Sequence, residues 1–184
     1  MPQSAAAERI EHIERICNHT FANRELITAA ITHPSAVEHL PVSASYERLE
    51  FLGDSILGAI VATDLFERFR DMDEGKLTRL KISLVSGKTL SRVSEELGIG
   101  ECIVFGESEK GTGARGLHAA LENVYESVVG ALYLDGGYDV THEFVSRTLG
   151  PPHGARARGA PREPQEPPAG DHAARDAMRT GVQA

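Results

Sequence analysis

The sequence has no tryptophan, only four tyrosines and six phenylalanines, so aromatic residues make up 5% of it. Its core must therefore be aliphatic, which an apolar content of 41% can supply. Cysteine is equally scarce. Cys17 and Cys102 stand far apart, in no CxxC or Cys/His ligand spacing. That excludes a disulfide framework and a thiolate zinc site, and it fits two reduced thiols. No apolar run approaches the roughly 18 residues of a membrane span, and the first residues carry charge where a secretory leader needs an apolar stretch. The expectation is a soluble, cytoplasmic protein. Positive charge is also short: 19 Lys and Arg face 27 Asp and Glu, a net charge of −8. This speaks against the broad basic surface that usually tracks nucleic-acid phosphates. It leaves open an ordinary acidic protein, or one that gathers carboxylates to hold metal ions.

The composition changes near Gly150. Residues 151–184 hold six of the nine prolines and no Leu, Ile, Phe or Tyr. Such a stretch buries too little apolar surface to offset its ordering entropy, which predicts a disordered Pro/Ala/Arg-rich tail over 150–184 and a folded domain over 1–149. The tail takes 5 of the basic and 4 of the acidic residues, so the folded part carries −9. Within it the apolar spacing is helical and strand signals are nearly absent, which predicts an all-α fold. Expected helices cover 7–19, 24–31 behind an Asn23 cap, and 46–69. Others run from the Asp73 cap, through a break at Gly87, to Gly98, then over 117–134 and 138–149. Asp135-Gly136-Gly137 reads as the stop between the last two.

The helix over 46–69 carries Glu47, Glu50 and Asp54 at i, i+3 and i+7, within about 60° of one another on one face. Leu49, Leu52, Ile56 and Ile60 form the expected core stripe. The helix over 117–134 repeats the arrangement with Glu122, Asn123 and Glu126, above a core stripe of Leu121, Val124, Val128 and Leu132. Like charges on one face repel by a few tenths of a kcal/mol per pair. Two readings follow from the spacing alone. One is a solvated acidic face on each helix. The other is a pair of facing helices whose oxygens hold Mg2+ or Mn2+ rather than zinc.

The segment ERLEFLGDSIL, Glu47 to Leu57, resembles the ribonuclease III signature without a mismatch. THPSA at 32–36, DEGKLTRLKISLVSGKTL at 73–90 and ESVVGALYLDGG at 126–137 resemble other family segments in the same order, so the resemblance covers about 8–149. It implies an all-helical, homodimeric endonuclease domain that hydrolyses phosphodiesters of double-stranded RNA with Mg2+, for which Mn2+ substitutes. Ribosomal and other structured precursor RNAs are the implied substrates. By match to the motifs, Asp54 and Glu126 are the implied catalytic acids. Glu50, Asn123 and Glu126 are the implied metal ligands, and Glu47 and Glu74 assist RNA or the metal's outer shell. Phe51 matches the aromatic that packs into a partner subunit.

Two features depart from the family pattern. Asn123 stands where the bacterial enzymes usually carry Asp; it offers a carbonyl oxygen without the charge, and a weaker but working site is expected. Glu122, about 40° from Glu126 around the helix, compensates in part. The second departure is that family members typically continue into a double-stranded-RNA-binding domain, where this chain has only the tail. Weak RNA affinity with a steep salt penalty is expected. Both departures favour an alternative, a catalytically impaired member serving as an RNA-binding or ribosome-associated protein; the retained acids favour the active enzyme. The loop GESEKGTGARG at 106–116 contributes Lys110 and Arg115 as candidate phosphate contacts. SGKT at 86–89 is not a P-loop end, because Ile82 stands where that motif needs glycine. The eight histidines show no zinc-binding spacing.

Overall fold

The computed structural model describes residues 2–107 and 113–150. The expected tail, Lys110 and the Arg115 side chain lie outside the described residues. Residues 1–150 form one compact unit. Helices α1 (Pro2–Cys17), α2 (Arg24–Ala30), α3 (Glu47–Arg68), α4 (Glu74–Leu84), α5 (Gly87–Glu96) and α6 (Gly113–Leu149) make up nearly all of it. Short 3-10 turns lie at Pro34–Ala36, Val42–Ala44 and Ile99–Cys102. Among the described residues the only extended pairing is an isolated parallel bridge between Thr32 and Val104. The all-α expectation holds.

The helix starts follow local chemistry. Asn23 accepts a hydrogen bond from the Glu25 N–H at 3.0 Å, and Asp73 accepts from the Lys76 N–H at 2.9 Å, each satisfying a donor that a helix start leaves free. Ser86 caps α5 in the same way, through the Thr89 N–H. The glycine at 87 is therefore the first residue of a new helix rather than a simple break. α1 ends two residues before the expected end, because Asn18 takes a left-handed conformation (φ 54°). α5 closes at Gly98 (φ 74°), a conformation that glycine adopts without steric cost.

Two expectations need correction. α6 starts at Gly113 rather than 117 and continues through Asp135 and Gly136, with a non-helical break only at Gly137 (φ 77°, ψ −172°). The Asp135 carboxylate caps nothing on its own helix. It accepts hydrogen bonds from the Ala22 and Asn23 N–H groups and binds the His19 ring at 2.8 Å, tying α6 to the α1–α2 connection. The core stripe of α3 is also rotated. Leu49, Gly53, Leu57, Ile60, Val61 and Leu65 are its buried residues, while Leu52 and Ile56 lie half-buried at the edge. The stripe turns because Gly53, lacking a side chain, is the point where α6 comes closest.

α6 is the central element. Residues 124–132 are all buried, so this stretch is enclosed on every side rather than along the single stripe its periodicity suggests. α3, α5 and α2 surround it. Both cysteines are free and buried, and burial pushes the Cys17 thiol up to about 12, so it stays protonated.

Candidate metal-dependent nuclease site

α3 and α6 meet backbone to backbone. A Cβ on Gly53 would overlap the Glu126 carbonyl oxygen, and a Cβ on Gly130 would overlap that of Leu49. This two-glycine contact fixes Glu126 against the α3 turn that carries Glu50 and Asp54.

Among the described residues Glu126 is the only charged one that is buried, at 9% exposure. The buried hydroxyls near it are satisfied: Ser127 bonds the Ala30 carbonyl, Ser94 that of Leu121 and Ser91 that of His118. Among the described residues nothing donates a hydrogen bond to the Glu126 carboxylate. Burial, followed by the negative charges of Asp54, Glu122 and Glu50, pushes its pKa up to about 8. The Glu50 carboxyl is half-buried and also raised, first by desolvation and then by Glu47, Glu122 and Asp54. The charges that raise both groups are all negative.

Of the residues singled out by sequence, Glu47, Glu50, Asp54 and Glu126 converge. Glu47, exposed at the start of α3, accepts a hydrogen bond from the Ser45 hydroxyl at 3.2 Å. Asn123 is half-buried, and its amide N–H donates toward the Tyr46 hydroxyl at 3.5 Å. Glu74, exposed at the first position of α4, accepts from the Thr78 hydroxyl at 2.8 Å and is not among the charges that shift Glu50 or Glu126. Phe51 points to solvent at 79% exposure. Among the described residues no group of three or more His, Cys, Asp or Glu side chains is arranged so that it could hold a metal ion. The donor set is nevertheless oxygen-only, which suits a hard divalent cation.

Sequence reasoning missed Gly53, Gly130 and Gly87. Glycine in a helix interior costs about 1 kcal/mol relative to alanine, so its presence at 53 and 130 was a usable sign of a close approach.

A family model described as Ribonuclease-III-like matches residues 23–152. Among curated relatives, a Ribonuclease 3 of Halalkalibacterium halodurans is 43% identical over 146 residues, covering 78% of this chain and 56% of that protein. One from Rhodopseudomonas palustris is 42% identical over 135 residues, covering 73% and 50%. The chain thus spans about half the length of these relatives. A solved structure of the nuclease domain of ribonuclease III from Campylobacter jejuni, described for structural flexibility in the region involved in dimer formation, superposes with a TM-score of 0.70 at 30% identity, covering 76% of this chain and 95% of that one. The signature acids, the helical architecture and these similarities agree: the chain belongs to the ribonuclease III family.

Proposed function

We propose that the protein is a metal-dependent endoribonuclease that hydrolyses phosphodiesters of double-stranded RNA, leaving 5′-phosphate and 3′-hydroxyl ends. It acts in the cytoplasm on ribosomal and other structured precursor RNAs, as a homodimer using Mg2+, with Mn2+ as a substitute. The observation that carries this reading is Glu126, a buried carboxylate whose charged neighbours are all acids. Burying such a group is unfavourable unless a cation compensates it.

Glu50 and Glu126 would hold the ion, with the Asn123 carbonyl as a neutral donor. A bound divalent cation supplies Lewis acidity toward a phosphate oxygen and acidifies water. Asp54, one turn along α3 and exposed, orients the attacking water and accepts its proton on a carboxylate oxygen. The Gly53 contact holds the main chain of Glu126 against α3. Glu47, Glu74 and Lys110 assist at the RNA backbone. Phe51 packs into the partner subunit, so that two sites lie along one groove, one per strand. A-form RNA is recognised largely by shape and 2′-hydroxyls, so little base specificity is expected.

Asn123, a neutral amide at a position where a carboxylate would hold a cation more tightly, favours a second reading, a catalytically impaired RNA-binding or ribosome-associated member. Incubating a labelled perfect RNA duplex at low salt with Mg2+, beside Glu126→Ala and a chelator control, separates the two. Metal-dependent cutting that vanishes in the variant supports the enzyme. A folded dimer that binds the duplex yet leaves it intact, even with Mn2+, supports the second reading. A protein that neither binds nor cuts refutes both.

A further inference from the structure

The cluster contains one acid that the motif match does not assign. Glu122 lies one turn before Glu126 on α6, half-buried, and its carboxylate rests on Gly87, the first residue of α5. A Cβ at Gly87 would overlap Oε2 of Glu122 and lie 2.6 Å from Oε1. From this seat Glu122 bears on both Glu50 and Glu126. Its neighbour Asn123, about 100° further round the helix, turns its amide toward Tyr46.

We propose that Glu122, rather than Asn123, is the second acidic side chain that α6 directs at the divalent cation, and that Gly87 is the positioning residue that makes room for it. The proposal rests on the metal-nuclease reading above. Three observations carry it. A hard cation prefers an anionic carboxylate to a neutral amide oxygen, and Glu122, half-buried one turn before Glu126 on α6, stands close enough to Glu50 and Glu126 for its charge to act on both. The start of α5 presents the positive end of a helix dipole to the Glu122 carboxylate, offsetting part of its repulsion before a cation arrives. Finally, glycine at 87 is not required by the backbone. Gly87 has no left-handed φ, Ser86 already caps the helix, and alanine would favour the helix more. What glycine provides there is space for the carboxylate.

The test is Mn2+ binding to the intact chain without RNA, by calorimetry and Mn2+ electron paramagnetic resonance. Wild type is compared with Glu122→Gln, Gly87→Ala, Asn123→Ala and Glu126→Gln, each melted in chelator as a check on folding. Glu122→Gln is expected to weaken Mn2+ binding by about tenfold or more, while melting above wild type because a repelling charge is gone. Gly87→Ala is expected to weaken binding although it removes no donor, and Asn123→Ala to fall well short of the Glu122→Gln loss. Unchanged binding in Glu122→Gln, or an equal or larger loss in Asn123→Ala, overturns the proposal while a loss in Glu126→Gln leaves the metal site standing. If wild type binds no Mn2+, or Glu126→Gln binds like wild type, the metal-nuclease reading falls and the role of Glu122 falls with it.

Discussion

Gly53→Ala probes the contact on which the site depends. The added methyl meets main chain, not a side chain that can rotate away: it overlaps the Glu126 carbonyl oxygen, and lies 2.6 Å from the carbonyl carbon and 3.0 Å from the Gly130 nitrogen. Those atoms belong to the enclosed stretch of α6, packed on every side. Relief therefore requires α3 and α6 to part by about an ångström in an interior packed like a crystal. Overpacking costs about 1–3 kcal/mol in general and about 4 kcal/mol where, as here, backbone must move; the helix-propensity gain of alanine returns about 1 kcal/mol. A net loss of about 3 kcal/mol is a large share of the 5–15 kcal/mol that holds a typical domain together. At about 2–4 °C per kcal/mol for a chain of this size, melting falls by about 6–12 °C.

The assay is thermal unfolding followed by circular dichroism in chelator, with Gly75→Ala as the control. At Gly75, in the first turn of α4, a Cβ would meet only Asp73 Oδ1 at 3.5 Å and Arg79 Nη1 at 3.6 Å, ordinary contacts. That variant should melt at or slightly above wild type. Parting the helices should also weaken Mn2+ binding in Gly53→Ala, because Glu126 moves away from Glu50 and Asp54. If Gly53→Ala melts at or above wild type, the backbone contact does not organise the site and the reasoning fails.

Two further predictions follow from the same geometry. The raised pKa of Glu126 means that the folded state holds this proton more tightly than the unfolded state, so its contribution to apoprotein stability is lost as pH rises from about 4.5 toward about 8. Glu126→Gln should flatten that decline in melts taken across this range in chelator; a wild-type curve that rises through the range contradicts the assignment. Phe51, 79% exposed on α3, is expected to be covered in a homodimer. Phe51→Ala should weaken dimerisation on the order of thousandfold by sedimentation equilibrium, from about 2 kcal/mol for each of two rings, and unchanged association would remove it from the interface.

The acids of the site were legible because helical periodicity is local: Glu47, Glu50 and Asp54 must share a face once 46–69 is a helix. Asn23 and Asp73 were legible for the same reason, as caps acting within one turn. What remained hidden depends on which helices touch and where. Leu52 and Ile56 look like core by spacing, yet the stripe runs through Gly53, because the nearest neighbour is a helix more than seventy residues away in sequence. The break expected over 135–137 narrows to Gly137 because Asp135 is engaged by the distant Ala22, Asn23 and His19, which keeps the helix running past it. Gly87 read as punctuation because its purpose lies across the fold, in Glu122.

The acidity that counted against a nucleic-acid substrate also looks different once located. Overall charge measures the average field, whereas binding of an anion at one point depends on what that point can hold. Here Glu47, Glu50, Asp54, Glu122 and Glu126 crowd together, and the pKa values of Glu50 and Glu126 rise, first through burial and then through the neighbouring acids. A fold selected for stability alone would place a neutral residue at 126, inside a helix otherwise built from Val, Tyr, Ser, Ala, Gly and Leu over 124–132. Keeping an acid there costs stability in the free protein and yields a strong local demand for a small, doubly charged cation. Such an ion reverses the local sign. The same residues that repel a phosphate without it then present a positive centre, so a net charge of −9 over the folded part is compatible with RNA cleavage wherever the metal mediates the contact.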